Sequence, residues 1–284
     1  MSRIAYVNGR YVAHADAAVA IDDRGYQFGD GVYEVIYVHR ARLIDPGLHL
    51  DRLDRSLREM RLAPPLGRAA LGHVIREILR RNRITTGLVY MQITRGVERR
   101  DHAFPGRDVP ASVVVTAKRL PPFPSAIAHW TGSAITLPDQ RWARCDIKSL
   151  NLLPNVLARQ AAREAGATEA ILIGPDGNVT EGAATSVWVV DRAGTLILRH
   201  LDARILPGCT REALLDLLER AGIAVRIGVC SEAELRAARE IFLTSATSFV
   251  KPILRLDGQP VGDGTIGDVA RQVFALYARH LAAA

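Results

Sequence analysis

Three prolines fall within four residues at Pro121-Pro122-Phe123-Pro124. Proline fixes φ and carries no amide proton, so this stretch suits neither a helix interior nor a central strand. The run therefore predicts a domain boundary: a first domain over residues 1–120, a linker over 121–128 and a second, larger domain over 129–284. Both blocks have ordinary domain size. With 48% hydrophobic and 24% charged residues, the chain has enough apolar material for a core in each.

The longest apolar runs, Val273–Ala278 and Ala17–Ile21, fall far short of the ~20 residues that span a bilayer. Ile4–Val7 is followed directly by polar residues, so no secretory apolar region is read there. A soluble, cytoplasmic protein without a membrane partner is expected. Lys and Arg number 37 against 30 Asp and Glu, a net charge of +7. The basic residues are mostly Arg scattered through amphipathic segments, with no basic run or tail, so a solvated surface is expected rather than a nucleic-acid partner. Cys145, Cys209 and Cys230 are widely spaced and form no C-x-x-C. They suit neither a disulfide framework nor a zinc site, and no metal is expected.

Periodicity predicts α+β organisation. In the first domain, Asn8-Gly9 turns a hairpin between Ile4–Val7 and Tyr11–Val12, and Gly31–Val38 alternates as a strand with Tyr33, Val35 and Tyr37 on one face. Helices follow over about His49–Leu62 and Ala69–Arg81, then strands over Leu88–Thr94 and Ser112–Lys118. The second domain is expected to hold strands at Ser133–Leu137, Ala170–Ile173, Val179–Glu181, Thr185–Val190, Thr195–Leu198 and Glu240–Thr244. Its helices are expected over Asn155–Glu164, Thr210–Ala221, a short capping-box segment at Ser231 and Glu234, and Asp268–His280. The result is two sheets, each packed by helices.

No G-x-S-x-G, P-loop or H-E-x-x-H occurs, and Gly262–Gly267 matches G-x-G-x-x-G too late in the chain to open a dinucleotide-binding unit. Three segments instead suit an anion. Ile205-Leu-Pro-Gly-Cys-Thr-Arg211 runs into a helix N-terminus, where free amides and the helix dipole favour phosphate; taken alone, such a loop is more often a plain helix start capped by Thr210. Thr244-Ser-Ala-Thr-Ser248 puts four hydroxyls at a strand end, and Arg52 offers a guanidinium on a helix. Lys148, between Ile147 and Ser149-Leu150, is a candidate nucleophilic amine, and Glu181 in Thr180-Glu-Gly182 is a carboxylate at a strand end.

Each signal is weak alone, but their order along the chain resembles the fold-type IV pyridoxal-phosphate enzymes. The likeness runs from Tyr6-Val-Asn-Gly9 through Arg24-Gly-Tyr-Gln-Phe-Gly-Asp-Gly31 to Pro252. It implies a two-domain α+β fold, pyridoxal 5′-phosphate as cofactor, and a homodimer. It further implies that Lys148 carries the cofactor and moves the substrate proton, and that Glu181 pairs with the ring nitrogen. Arg52, Cys209, Thr210, Ser245, Ala246 and Thr247 would hold the phosphate. Within the family, Tyr33 with Arg100 and His102 resembles the carboxylate trap of D-amino-acid transaminases, with small amino and 2-oxo acids as partners; Arg95 and Arg99 compete for the role of Arg100. Phe249-Val250-Lys251 departs from the acidic or threonine-bearing form of that pattern. Branched-chain (L-) transaminase, (R)-amine transaminase and aminodeoxychorismate lyase are the alternatives within the family, and a basic nucleic-acid-binding protein is the alternative outside it.

Overall fold

In the computed structural model, which describes residues 3–106 and 109–283, the chain divides after Pro122 into two units. The first is the chain up to Pro122 together with Ile147–Asn151; the second is Phe123–Asp146 and the chain from Leu152 onward. The return of 147–151 to the first unit corrects the boundary read from sequence, which placed it with residues 129–284.

The first unit contains β1 (Ile4–Val7), β2 (Arg10–Ala13), α1 (Arg24–Phe28), β3 (Gly31–His39), β4 (Arg42–Leu43), α2 (Pro46–Glu59), α3 (Arg68–Asn82), β5 (Gly87–Thr94) and β6 (Ser112–Arg119). Its six strands pair antiparallel in the order β2-β1-β6-β5-β3-β4. Strand alternation sorts β3: Val32, Ile36 and Val38 are fully buried in a core with Leu53 and Leu57 of α2 and Ile75 and Ile78 of α3. Each such side chain contributes about 1.5–3 kcal/mol through burial. Glu34 shares this face and is also fully buried. An unpaired carboxylate there would be costly, so its partners decide whether the fold tolerates it.

The physical reason for the boundary correction lies along β3. The Lys148 carbonyl accepts from Tyr33 N at 3.0 Å, Leu150 N donates to the Gly31 carbonyl at 3.0 Å, and Ser149 bridges Val32. Ile147 joins the first core. Gly31 permits the approach, because a Cβ there would lie 2.6 Å from the Ile93 carbonyl oxygen and 2.9 Å from Leu150.

The second unit contains β7 (Gly132–Pro138), α4 (Leu153–Glu164), β8 (Glu169–Ile173), β9 (Val179–Gly182), β10 (Ser186–Val190), β11 (Leu196–Leu198), α5 (Cys209–Arg220), β12 (Val225–Ile227), α6 (Glu232–Arg236), β13 (Glu240–Ser245), β14 (Phe249–Leu256), β15 (Gln259–Pro260) and α7 (Asp268–Ala283). The mixed sheet runs β12-β11-β10-β13-β14-β7-β8-β9, with β15 added beside β14. The strands expected from sequence do not include β14, which carries Pro252. The strand accommodates it opposite Phe242 of β13, while the ladder to β7 on the other side begins only at Ile253. The helix α5 begins at Cys209 with Gly208 as N-cap, so Thr210 lies in its first turn rather than capping it. Gly262–Gly267 is a loop into α7, whose first amides at Val269 and Ala270 donate to the Glu240 carboxylate. A Cβ at Gly267 would collide with that carboxylate. Among the described residues no helix is long and apolar enough to cross a membrane.

Candidate active site

The residues singled out by sequence fall into groups within each unit. In the first unit, His49, Arg52 and Ser56 recur at helical spacing on the buried face of α2. Arg52 meets Glu34 through Nε at 2.7 Å and Nη2 at 2.9 Å, and His49 Nδ1 lies 2.8 Å from the same carboxylate. Burial alone would raise the Glu34 pKa, but the guanidinium and imidazole outweigh it and hold the carboxyl at about 2. Burial pushes His49 below its ordinary value, with the Arg52 and Lys148 cations adding to the effect. The Arg52 assigned to a phosphate is thus already in a fork with Glu34, and a phosphate would meet it as a second anion.

Ser56 Oγ accepts from the Lys148 amide at 3.2 Å. The Lys148 backbone is therefore fixed on both sides, by α2 and by β3. Its side chain is half-buried, with Nζ over the Tyr33 ring at 4.2 Å from the centroid. Among the described residues no side-chain hydrogen bond or ion pair engages that Nζ. Tyr33 stacks on Tyr90 with ring centroids 5.7 Å apart, and burial raises the Tyr90 phenol to about 12, so Tyr90 stays neutral and donates to Gln92.

Arg100 and His102 lie on the exposed loop between β5 and β6, both against the Phe28 ring. No hydrogen bond or ring contact among the described residues links them to Tyr33. Arg95 does not compete for a ligand: it is buried, donates to Asp30 at 2.8 Å, and also holds the Met60 and Arg61 carbonyls. Arg99 is exposed.

In the second unit, Glu181 of β9 is buried, and its carboxylate accepts from Arg141 Nη1 and, at 3.2 Å, from Leu206 N. Arg141 is steadied by Asp139, which takes its Nε at 2.9 Å and Nη2 at 2.7 Å and also accepts from Thr180. Burial opposes the charge on Arg141, but the two carboxylates prevail and keep its pKa above the ordinary value. Sequence reasoning missed Arg141 and Asp139. The only signal was an acid-x-arginine pair in the polar loop after β7, which resembles countless surface pairs.

Leu206 opens the segment into α5, so its hydrogen bond brings Glu181 to the Leu206-Pro207-Gly208 stretch. Ser186 pairs with Thr244 in register, and its Oγ lies 2.9 Å from where a Cβ on Gly208 would sit. The first turn of α5, with buried Cys209 and Thr210, and the end of β13 therefore flank one serine. The first amides of a helix have no partner inside it, which suits an anion. Past β13, Ser245 Oγ accepts from the Thr247 and Ser248 amides at 3.4 and 3.0 Å, folding Ser245, Ala246 and Thr247 into a tight turn. Cys145 is driven up to about 12 by burial and is inert as a nucleophile. Among the described residues no group of three or more His, Cys, Asp or Glu is placed to hold a metal.

Residues 31–256 match the family model for amino-transferase class IV. The chain is similar to D-alanine aminotransferase of Listeria innocua, 40% identical over 94% of this chain and 92% of the relative. It is also similar to the D-alanine aminotransferase of Bacillus licheniformis, 40% identical over 94% and 93%. Among solved structures, a branched-chain aminotransferase from the thermophilic archaeon Thermoproteus uzoniensis superposes with TM-score 0.86 at 24% identity, covering 99% of this chain and 96% of that one. A hypothetical aminotransferase from Mycobacterium tuberculosis superposes with TM-score 0.82 at 22% identity, covering 99% of each.

Proposed function

The chain belongs to the class IV amino-transferase family, and from that premise we propose that it moves an amino group between a D-amino acid and a 2-oxo acid using pyridoxal 5′-phosphate. Its α+β architecture is that of the fold-type IV aminotransferases. The observation that carries the substrate class is the 40% identity to D-alanine aminotransferases along almost the whole chain. The solved branched-chain enzyme, at 24% identity, speaks to the fold alone.

The residues present fit the cofactor. Lys148 is a half-buried amine fixed through its backbone, with no side-chain hydrogen bond or ion pair among the described residues. When bound, pyridoxal 5′-phosphate supplies an aldehyde to receive the amino group and a conjugated ring to take up the electron pair left at Cα. Lys148 would hold the cofactor, and its Nζ would serve as the base that moves the proton of the substrate Cα. Glu181 would pair with the ring nitrogen, and Arg141 and the Leu206 amide fix the orientation of its carboxylate. Arg52, the Cys209 and Thr210 amides, and Ser245, Ala246 and Thr247 hold the phosphate. Tyr33, Arg100 and His102 receive the substrate carboxylate, for which a guanidinium offers a two-pronged fit. The working form is a cytoplasmic homodimer, supported by Leu153, Val156 and Leu157, which stand 69, 58 and 58% exposed on α4 at i, i+3, i+4 spacing.

The purified protein is expected to be coloured, and D-alanine alone to bleach its visible band, because the amino group passes to the cofactor in the first half-reaction. A colourless protein that cofactor does not stain, or a band indifferent to D-alanine but bleached by L-leucine, would overturn the reading; the second result favours the branched-chain alternative. Glu181→Gln is expected to keep cofactor bound while slowing the single-turnover proton transfer by about 10²-fold or more, since a neutral amide no longer favours the protonated ring nitrogen. Wild-type single-turnover rates in that variant would remove Glu181 from the site.

A further inference from the structure

Phe28, the last residue of α1, has no part in the reaction as read above, yet three polar groups converge on its ring. The Arg100 guanidinium carbon lies 4.6 Å from the ring centroid, the His102 imidazole 5.3 Å, and the Arg24 guanidinium carbon 4.8 Å. Arg24 is buried and paired through Nε with Asp30 at 2.9 Å. Its remaining nitrogens reach past Phe28 to the loop, donating to the Asp101 carbonyl at 2.5 Å and the His102 carbonyl at 3.4 Å. Asp30 also holds Arg95 at the start of the same loop. One short helix thus grips the loop twice, its backbone through Arg24 and its two outward side chains through Phe28.

We propose that Phe28 is a specificity-determining positioning residue, whose ring holds Arg100 and His102 in the paired orientation that receives a substrate carboxylate. The proposal rests on the transaminase reading, which gives those two side chains that task. The physical reason is entropic. An arginine on an exposed loop samples many rotamers, and a ligand that orders it loses affinity accordingly. The negative face of an aromatic ring attracts the guanidinium beforehand, and the same ring packs the imidazole in a tilted pair, so the cost is met before substrate arrives. Phe28 is itself half-buried, so a leucine there leaves a small packing defect and removes the π-face.

The test compares steady-state and spectroscopic behaviour of the holoenzyme with its Phe28→Leu and Phe28→Tyr variants, using D-alanine and 2-oxoglutarate. Phe28→Leu is expected to raise KM for D-alanine about fivefold to tenfold, the loss of two aromatic contacts. The kcat at saturation stays within about twofold and the cofactor's visible band is unmoved, because binding and not chemistry has been weakened. Phe28→Tyr, which keeps the ring, restores the wild-type KM. An active wild type whose Phe28→Leu variant keeps its KM, or loses kcat and the cofactor band together, overturns the positioning role and leaves the transaminase reading standing. A wild type inert toward D-alanine removes the reading and the proposal with it.

Discussion

Lys148→Ala is expected to abolish turnover, by at least about 10³-fold, and to leave a protein from which borohydride fixes no cofactor. The size follows from what the proposal asks of one amine: covalent attachment and both proton transfers would pass through the same Nζ, and a positioned acid–base group alone contributes about 10²–10⁴-fold. The fold should survive. Lys148 is held by its backbone, through Ser56 Oγ and Tyr33 N, and among the described residues no hydrogen bond or ion pair of the fold runs through its side chain, whose Nζ rests over the Tyr33 ring. Circular dichroism and thermal melting should therefore match the wild type while activity is lost. A variant that still becomes covalently labelled on reduction would move the cofactor lysine elsewhere.

Glu34→Gln is expected to be the most damaging single change to stability. The substitution leaves Arg52 buried beside a neutral amide, and breaking a buried pair from one side costs about 3–5 kcal/mol. In melting experiments that corresponds to a fall of roughly 10 °C. The same pair gives the protein an acid limb. The Glu34 carboxyl titrates at about 2 in the fold against 4.5 when exposed. A folded value below the unfolded one means stability present above pH 4.5 and lost as the pH falls through 4.5 toward 2, amounting to about 3 kcal/mol. His49, also depressed by burial, acts in the same direction, because the unfolded chain takes up its proton first as the pH falls below 6.5. Melting temperature against pH should thus slope steeply below pH 6.5 in the wild type. In Glu34→Gln the slope between 4.5 and 2 should flatten. An unchanged acid profile would contradict the assignment of the pair.

Much of this was legible in the sequence, and for physical reasons. Alternation in Gly31–Val38 and the 3–4 spacing of Leu50, Leu53 and Leu57 mark a strand and a helix whose apolar faces must meet, and they do. The order of the short motifs told the family, although they sit on different kinds of element: Arg52 within α2, Lys148 on an irregular segment, Glu181 in β9, Thr210 in the first turn of α5 and Ser245 at the end of β13. What could not be read was partnership over distance. Glu34 looks like a surface residue of an alternating strand until Arg52 and His49 are seen beside it. Arg95 looks as free as Arg100 until Asp30 is found beneath it. Segment 147–151 follows the proline boundary and so reads with the second domain, although its backbone pairs with β3. Pro252 argues against a central strand unless the neighbouring ladder is known to start one residue later.

The proposed function is at bottom a statement about stereochemistry. In the proposed reaction Lys148 would deliver its proton from one side, and the side on which the substrate carboxylate is held would decide which enantiomer results. Racemic glutamate and pyruvate, incubated with the holoenzyme and resolved on a chiral column, put this to one measurement. D-Alanine should accumulate as D-glutamate disappears and L-glutamate remains. Formation of L-alanine with consumption of L-glutamate would contradict the account.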